Sequence, residues 1–237
     1  MPDPRRRRSV TQTHLSDVLA AELTGWAAGH SGRDVVDLGG GTGGMAIGLA
    51  EQGYRVRVVD PSPDALAALD RRTAEQGLGG RVAGVQGDAT ELVGLVGPDS
   101  ADLVVCHKVL EVVDDPADTL AAVARVLRSG GALSLVVAQR HAAVLTQALA
   151  GHIAQARRTW ADPARFDRAT ILTLVSGAGF ETVATHGVGA VADHVAESVL
   201  DAEPGAHAEL LALESEVAAD PAFQALAPHL HVFAVKP

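Results

Sequence analysis

Cysteine is almost missing from this chain: Cys106 is the only one in 237 residues. That excludes an internal disulfide and a cysteine-rich zinc site, and it fits a reducing compartment. No stretch of about 18 uncharged apolar residues occurs, so no segment reads as a membrane-spanning helix. The arginine run Arg5 to Arg8 is followed by Ser9-Val10-Thr11-Gln12-Thr13-His14, which lacks the apolar core of an export signal. A cytoplasmic location and no membrane partner are therefore expected. Aromatic residues make up only 3% of the chain, with Tyr54 the single tyrosine, and lysine occurs only as Lys108 and Lys236. The Tyr-x-x-x-Lys arrangement of short-chain dehydrogenases cannot be built from these, and a P-loop lysine is missing too.

What is present is ample core material. Apolar residues account for 47% and charged residues for 20%, the balance of a globular fold rather than a disordered chain. One α/β domain over residues 1–237 is expected, since sheets covered by helices on both faces often reach this size. Its parts read as a tail and helix at 1–33, a cofactor-binding core at 34–139, a helical cap at 140–168, and helices with the last two strands at 169–237. The net charge of −10 is unevenly spread: residues 1–33 carry +2, 34–139 carry −7, 140–168 carry +3 and 169–237 carry −8. The cap holds Arg140, Arg157, Arg158, Arg165 and Arg168, a place toward which an anionic substrate could be drawn.

Short apolar runs alternate with helix-length segments: Asp34 to Leu38, Arg55 to Val59, Arg81 to Val85, Ala101 to Cys106 and Ala132 to Ala138. Rich in valine and leucine and without strict polar alternation, they predict parallel strands buried on both faces, joined by helices. Ser62-Pro63 and Asp115-Pro116 read as helix starts, and Arg128-Ser129-Gly130-Gly131 reads as a helix end closed by glycine. Helices are expected over Arg140 to Trp160, from about Ala169 to Gly177 and Gly179, and within the acidic stretch Val191 to Ala219. Two last strands are expected at Phe180 to His186 and Leu230 to Val235.

Chemistry concentrates after the first run, where Asp37-Leu38-Gly39-Gly40-Gly41-Thr42-Gly43 satisfies D-x-G-x-G-x-G and leads into the apolar helix Met45 to Ala50. Glycines are needed where a strand turns sharply into a helix, and the N–H groups at the helix start can meet a carboxylate or phosphate. Asp60, followed by Pro61, ends the second run, where a carboxylate can accept from both hydroxyls of an adenosine ribose. Asp88 lies where such folds meet the adenine ring; it also reads as a turn-forming residue. Gly39, Gly41 and Gly44 also fit the dinucleotide fingerprint G-x-G-x-x-G. Asp37 argues against a pyrophosphate beside it and for the cationic end of S-adenosylmethionine.

These motifs, together with Asp102-Leu103-Val104-Val105-Cys106-His107-Lys108-Val109-Leu110-Glu111 and Leu127-Arg128-Ser129-Gly130-Gly131-Ala132-Leu133, resemble the class I methyltransferases. Within that superfamily the chain is similar to the tRNA 5-carboxymethoxyuridine methyltransferases from about residue 35 onward, including Asp115-Pro116 and the terminal His231-Val232-Phe233-Ala234-Val235-Lys236-Pro237. The resemblance implies a Rossmann-like, doubly wound, seven-stranded sheet, mostly parallel with an antiparallel last strand. It implies S-adenosylmethionine as cofactor and tRNA as a partner. Carried over by position, Gly39, Gly40, Asp60, Ala89, Thr90 and His107 would touch the cofactor, with an N-terminal arginine placed at Arg8; Asp37, Gly41, Gly43, Pro61 and Asp88 complete the expected site. The chain departs from the family at Gly187-Val188-Gly189, where an arginine is expected, and in the short stretch Arg157-Arg158-Thr159-Trp160-Ala161-Asp162.

Methyl transfer from a sulfonium is an in-line displacement, so the protein mainly aligns nucleophile and electrophile and keeps water out. A carboxylate acceptor is already ionised and needs no base; a phenol or amine would call on His107 or His141. His229-x-His231 has no visible carboxylate or cysteine cluster to complete a metal site, and no metal is expected. Glu111, Asp114 and Asp115 read as leading into the next helix. Three functions follow: a tRNA carboxyl methyltransferase, a methyltransferase of a small anionic molecule, or a protein that binds the cofactor without catalysis.

Overall fold

The apolar runs assemble into one sheet of seven strands. The computed structural model describes residues 9–162 and 164–237. The strands are β1 (Asp34–Leu38), β2 (Arg55–Asp60), β3 (Val82–Gln86), β4 (Ala101–His107), β5 (Leu127–Ala138), β6 (Glu181–Val188) and β7 (His229–Val235), in spatial order β3-β2-β1-β4-β5-β7-β6. β1 pairs in parallel with β2 and β4, β2 with β3, and β4 with β5. β7 runs the other way. At one end the Gly130 N–H donates to the Lys236 carbonyl at 2.8 Å and the Lys236 N–H to the Gly131 carbonyl at 2.9 Å; at the other the Gln139 N–H donates to the Pro228 carbonyl at 2.9 Å. Only an antiparallel register lets one strand meet both ends of β5 in that order.

Eleven α-helices are seen among the described residues: α1 (Val10–Ala27), α2 (Gly44–Glu51), α3 (Pro63–Glu75), α4 (Leu92–Val96), α5 (Pro116–Val126), α6 (Arg140–Leu149), α7 (Ile153–Ala161), α8 (Arg168–Gly177), α9 (Glu197–Ala202), α10 (Ala206–Val217) and α11 (Pro221–Leu226). The two proline-marked starts behave as expected. Ser62 accepts from the Ala65 N–H, and Asp115 accepts from the N–H groups of Ala117 and Asp118, so each satisfies donors that a helix start leaves open. Two compact units emerge. One comprises Gly25–Val137, Ala169–Ala184 and Val232–Pro237, and its core is the valine and leucine of the central strands, among them Val58, Val104 and Leu133, all at 0% exposure.

The other unit takes the chain up to Thr24, Ala138–Arg168 and Thr185–His231, and it is tied by buried polar groups. Glu214, fully buried, accepts from the N–H groups of Ala190, Val191 and Ala192, each at 2.8 Å. Gln139 donates to the carbonyls of Gln224 and Ala227, while the Gln224 amide donates to Thr185 and Ala218. Buried polar groups hold their place only when partnered in this way.

One expected element differs. Arg128-Ser129-Gly130-Gly131 is not a helix end: α5 stops at Val126, Leu127 is already extended, and residues 127–138 form one strand with a register irregularity opposite Ala101 and Leu103. Gly130, at φ 77°, turns its carbonyl to the Trp26 indole N–H at 2.9 Å, and Trp26 stacks on His30 with centroids 4.7 Å apart. A Cβ at 130 would stand 2.6 Å from the His30 ring. The Gly130→Ala substitution should therefore lower unfolding stability by about 2 kcal/mol or more, from left-handed strain plus the clash, read as a lower urea midpoint at unchanged slope.

Candidate functional site

At the carboxyl ends of β1 and β2 two carboxylates and the glycine turn come together. Asp37 is 3% exposed; a Cβ at Gly40 would collide with its carboxylate, so the turn passes directly over it. The Gly39 N–H donates to the Val59 carbonyl at 2.7 Å, and a Cβ at Gly39 would lie 2.6 Å from a Val109 methyl. Gly39, Gly41 and Gly43 all have positive φ, at 70°, 54° and 79°. α2 then starts at Gly44 without a side-chain cap and without an acidic residue in its first turn, leaving N–H groups for an anion.

Asp60 spans two turns: one carboxylate oxygen accepts from the Gly41 N–H at 2.8 Å and the other from the Ser62 N–H at 2.9 Å. Pro61 follows it at the surface. Asp37 has no such support. Burial, and then the Asp60 charge, push its carboxyl up to about 7, against the single Ala46 N–H that favours ionisation. Its Oδ2 is buried without a hydrogen-bond partner. An orphaned acidic oxygen of this kind fits a cationic group, and the turn above it has the room that missing side chains leave.

After β3, Asp88 is exposed and makes the turn: it accepts from the Thr90 N–H at 2.8 Å and from the Thr90 hydroxyl at 2.6 Å, which hold its carboxyl below the usual range. Ala89, between them, is buried. At the end of β4, His107 Nε2 lies 2.8 Å from the Ser134 hydroxyl, and burial, then neighbouring Lys108, depress its basicity to about 3. Its imidazole is neutral at physiological pH.

Asp37, the glycine turn, Asp60, Asp88 to Thr90 and His107 thus share one unit. His141 belongs to the other unit, where its ring packs at 5.8 Å against Trp160. Arg8 lies outside the described residues. Gly189, where the resemblance led one to expect arginine, adopts φ 80°, and a Cβ there would stand 2.7 Å from the Asp193 carboxylate, so the backbone itself favours glycine. Two contributors had no sequence signal: Ser134, which orients His107 from β5, and Arg72, whose guanidinium donates to the Thr42 carbonyl at 2.6 Å and pins the glycine turn from α3. Three side chains of metal-ligand type, Glu197, Asp201 and His207, meet elsewhere, in α9 and α10, with Glu197 and Asp201 exposed.

The raised Asp37 has a stability signature. A carboxyl that keeps its proton in the folded state up to about 7 and releases it near 4 when unfolded costs stability as pH rises through that window. The ceiling is roughly 4 kcal/mol. In the ligand-free protein Asp37→Asn should remove this loss, so that the variant is the more stable of the two above pH 7 and the difference shrinks toward pH 4, measured by urea unfolding across pH.

Residues 36–135 match the family described as methyltransferase domain. The chain is 27% identical over 211 residues to the tRNA 5-carboxymethoxyuridine methyltransferase of Escherichia coli strain K12, covering 86% of this chain and 80% of that protein. It is 32% identical over 130 residues to the ubiquinone biosynthesis O-methyltransferase of Cupriavidus pinatubonensis, covering 54% and 51%. The fold resembles that of magnesium protoporphyrin IX methyltransferase from Synechocystis with bound SAH, at TM-score 0.64 and 17% identity over 96% of this chain and 84% of that one. With the glycine turn, the paired carboxylates and the seven-stranded sheet in place, the chain is an S-adenosylmethionine-dependent methyltransferase, its methyltransferase domain matched over residues 36–135.

Proposed function

We propose that the acceptor is a carboxylate, that of 5-carboxymethoxyuridine in tRNA, converted to its methyl ester. The observation that carries this reading is His107: a neutral imidazole held at a basicity of about 3 is a poor proton acceptor, which suits a nucleophile that arrives ionised. The relative of that specificity extends over 86% of the chain, which supports the same reading.

S-adenosylmethionine supplies a methyl group on a positively charged sulfur. Around it the chain's own groups would act as follows. Asp37 and the uncapped start of α2 receive the amino-acid end, the carboxylate of Asp37 ionising as a cation comes against it. Asp60, already fixed by Gly41 and Ser62, accepts from the ribose. Asp88, Ala89 and Thr90 border the adenine, with the Asp88 turn rigid before any ligand arrives. His107, oriented by Ser134, contacts the cofactor as a neutral hydrogen-bonding group rather than as a base. Arg8 is assigned to the cofactor by its position in the sequence.

A second reading rests on the ubiquinone-pathway relatives, which act on a small-molecule acceptor. There a phenol would need a base, and His141, for which the cap supplies an aromatic neighbour in Trp160, is the residue to test.

Transfer of labelled methyl groups by the purified protein separates the two, with carboxymethoxyuridine-bearing tRNA and a small-molecule extract as parallel acceptors. Alkali-labile label on the tRNA is the expected result; a blank tRNA with labelled small molecules would replace it by the second reading. Asp60→Ala should raise the dissociation constant for S-adenosylmethionine about 10- to 100-fold, the loss expected for charged hydrogen bonds, read by calorimetry.

A further inference from the structure

The opposite edge of the sheet carries a feature that methyl transfer does not use. β2 places Arg55 and Arg57 two residues apart on one face, both exposed. The register Val56↔Val82, with the Val56 N–H donating to the Arg81 carbonyl at 2.8 Å, brings Arg81 beside Arg55. Ala83, next to Arg57 on that face, is small and exposed. The nearby helix α4 has only five residues, and its Val96 carbonyl is where Arg57 is tied. What remains is an open groove of about 280 Å³, bordered by the three arginines and by Gly79 and Gly80, at which an added Cβ would meet nothing within 4 Å.

Arginine stems often cover an apolar sheet face, but that role alone does not call for Arg81, the residue just before β3, to stand beside Arg55 at the start of β2. Each of the three is also held in place. Arg55 Nε donates to Asp34 at 2.8 Å, Arg57 Nη1 to the Val96 carbonyl at 3.3 Å and Arg81 Nη1 to the Ala50 carbonyl at 3.2 Å. A guanidinium has five N–H donors, so each keeps most of its fork after anchoring. Asp34, in the groove lining, is shared with Arg128 and held ionised, first by its hydrogen bond from Arg55, and Asp102 behind it accepts from the Asp34 N–H and pairs with Arg128.

We propose that this groove binds a phosphate-bearing anion of the diphosphate class. Guanidinium forks match phosphate oxygens in pairs. Neighbouring strands stand about 4.8 Å apart and alternate residues about 6.6 Å apart, so the three arginines leave the backbone at points spread over more than one phosphoryl group, and their anchors on α2 and α4 stand on either side of the groove. Arg55 and Asp60 lie at opposite ends of β2, roughly 16 Å apart, which makes the groove separate from the site at the glycine turn.

The test is calorimetric titration of the full chain with inorganic pyrophosphate at low salt, with sulfate as a single-centre anion and ADP as a nucleoside-borne diphosphate, and with the amide signals of Gly79 and Gly80 followed by NMR. One-to-one binding of pyrophosphate or ADP that moves those two signals is expected, weakened about tenfold or more by Arg57→Gln and by Arg81→Gln. Methyl transfer by both variants should stay unchanged, and the wild-type NMR map stands even if one variant folds poorly. ADP binding more tightly than pyrophosphate would assign the diphosphate to a nucleotide, and the reverse to the free anion. Absence of binding, shifts at other amides, or sulfate binding as well as pyrophosphate with no effect of the substitutions would each overturn the proposal.

Discussion

The carboxyl edge of this sheet is organised around one buried carboxylate. Asp37 stands beneath Gly40 with no room for a side chain above it, and that constraint propagates outward. The turn must be glycine, its backbone must take positive φ on either side of Gly40, and α2 must begin at once, with its first N–H groups uncapped. A carboxylate buried with an unpartnered oxygen is unfavourable for the empty protein. A burial cost of this kind persists only where the surrounding structure holds the group in place. Asp60 is the contrast: two backbone donors already satisfy it, so it keeps the turn in shape, whereas one Asp37 oxygen is buried without a partner.

Most of the framework was legible because its determinants are local. β1 coincides with the apolar run Asp34 to Leu38, and Ser62 and Asp115 cap the helices that their prolines announce. Asp88 proved to form the turn that its residue type suggests, which leaves the adenine role to be tested. The error at Gly130 has a physical source. A glycine pair after a helix usually ends it, but here Trp26, His30 and Lys236 decide its conformation, and all three are about a hundred residues away in sequence. Ser134 and Arg72 escaped notice for the same reason: nothing in their spacing foretells His107 or Thr42 as partners.

Charge counted along the chain also misplaces some of its groups. The segment from 190 to 220 reads as a solvated acidic surface, yet Glu214 within it is fully buried and clasps three consecutive backbone N–H groups. His14 lies against it, with Nδ1 3.8 Å away and a basicity lowered chiefly by burial. Three backbone dipoles therefore supply most of the local support for this acid. A buried polar group satisfied by backbone fixes one chain path, which apolar packing alone specifies less sharply.

The proton inventory bears on what the enzyme can methylate. Burial lowers the basicity of His107 and raises the Cys106 thiol well above its usual range, so neither is charged at neutral pH. Asp37 is the group near them poised to change charge there. An acceptor that must lose a proton finds no ready base in His107 or Cys106. A carboxylate needs no such help, and with it the unit built around the glycine turn has only to align the reacting atoms. The weakness of its bases is thus the physical ground for favouring an ionised acceptor.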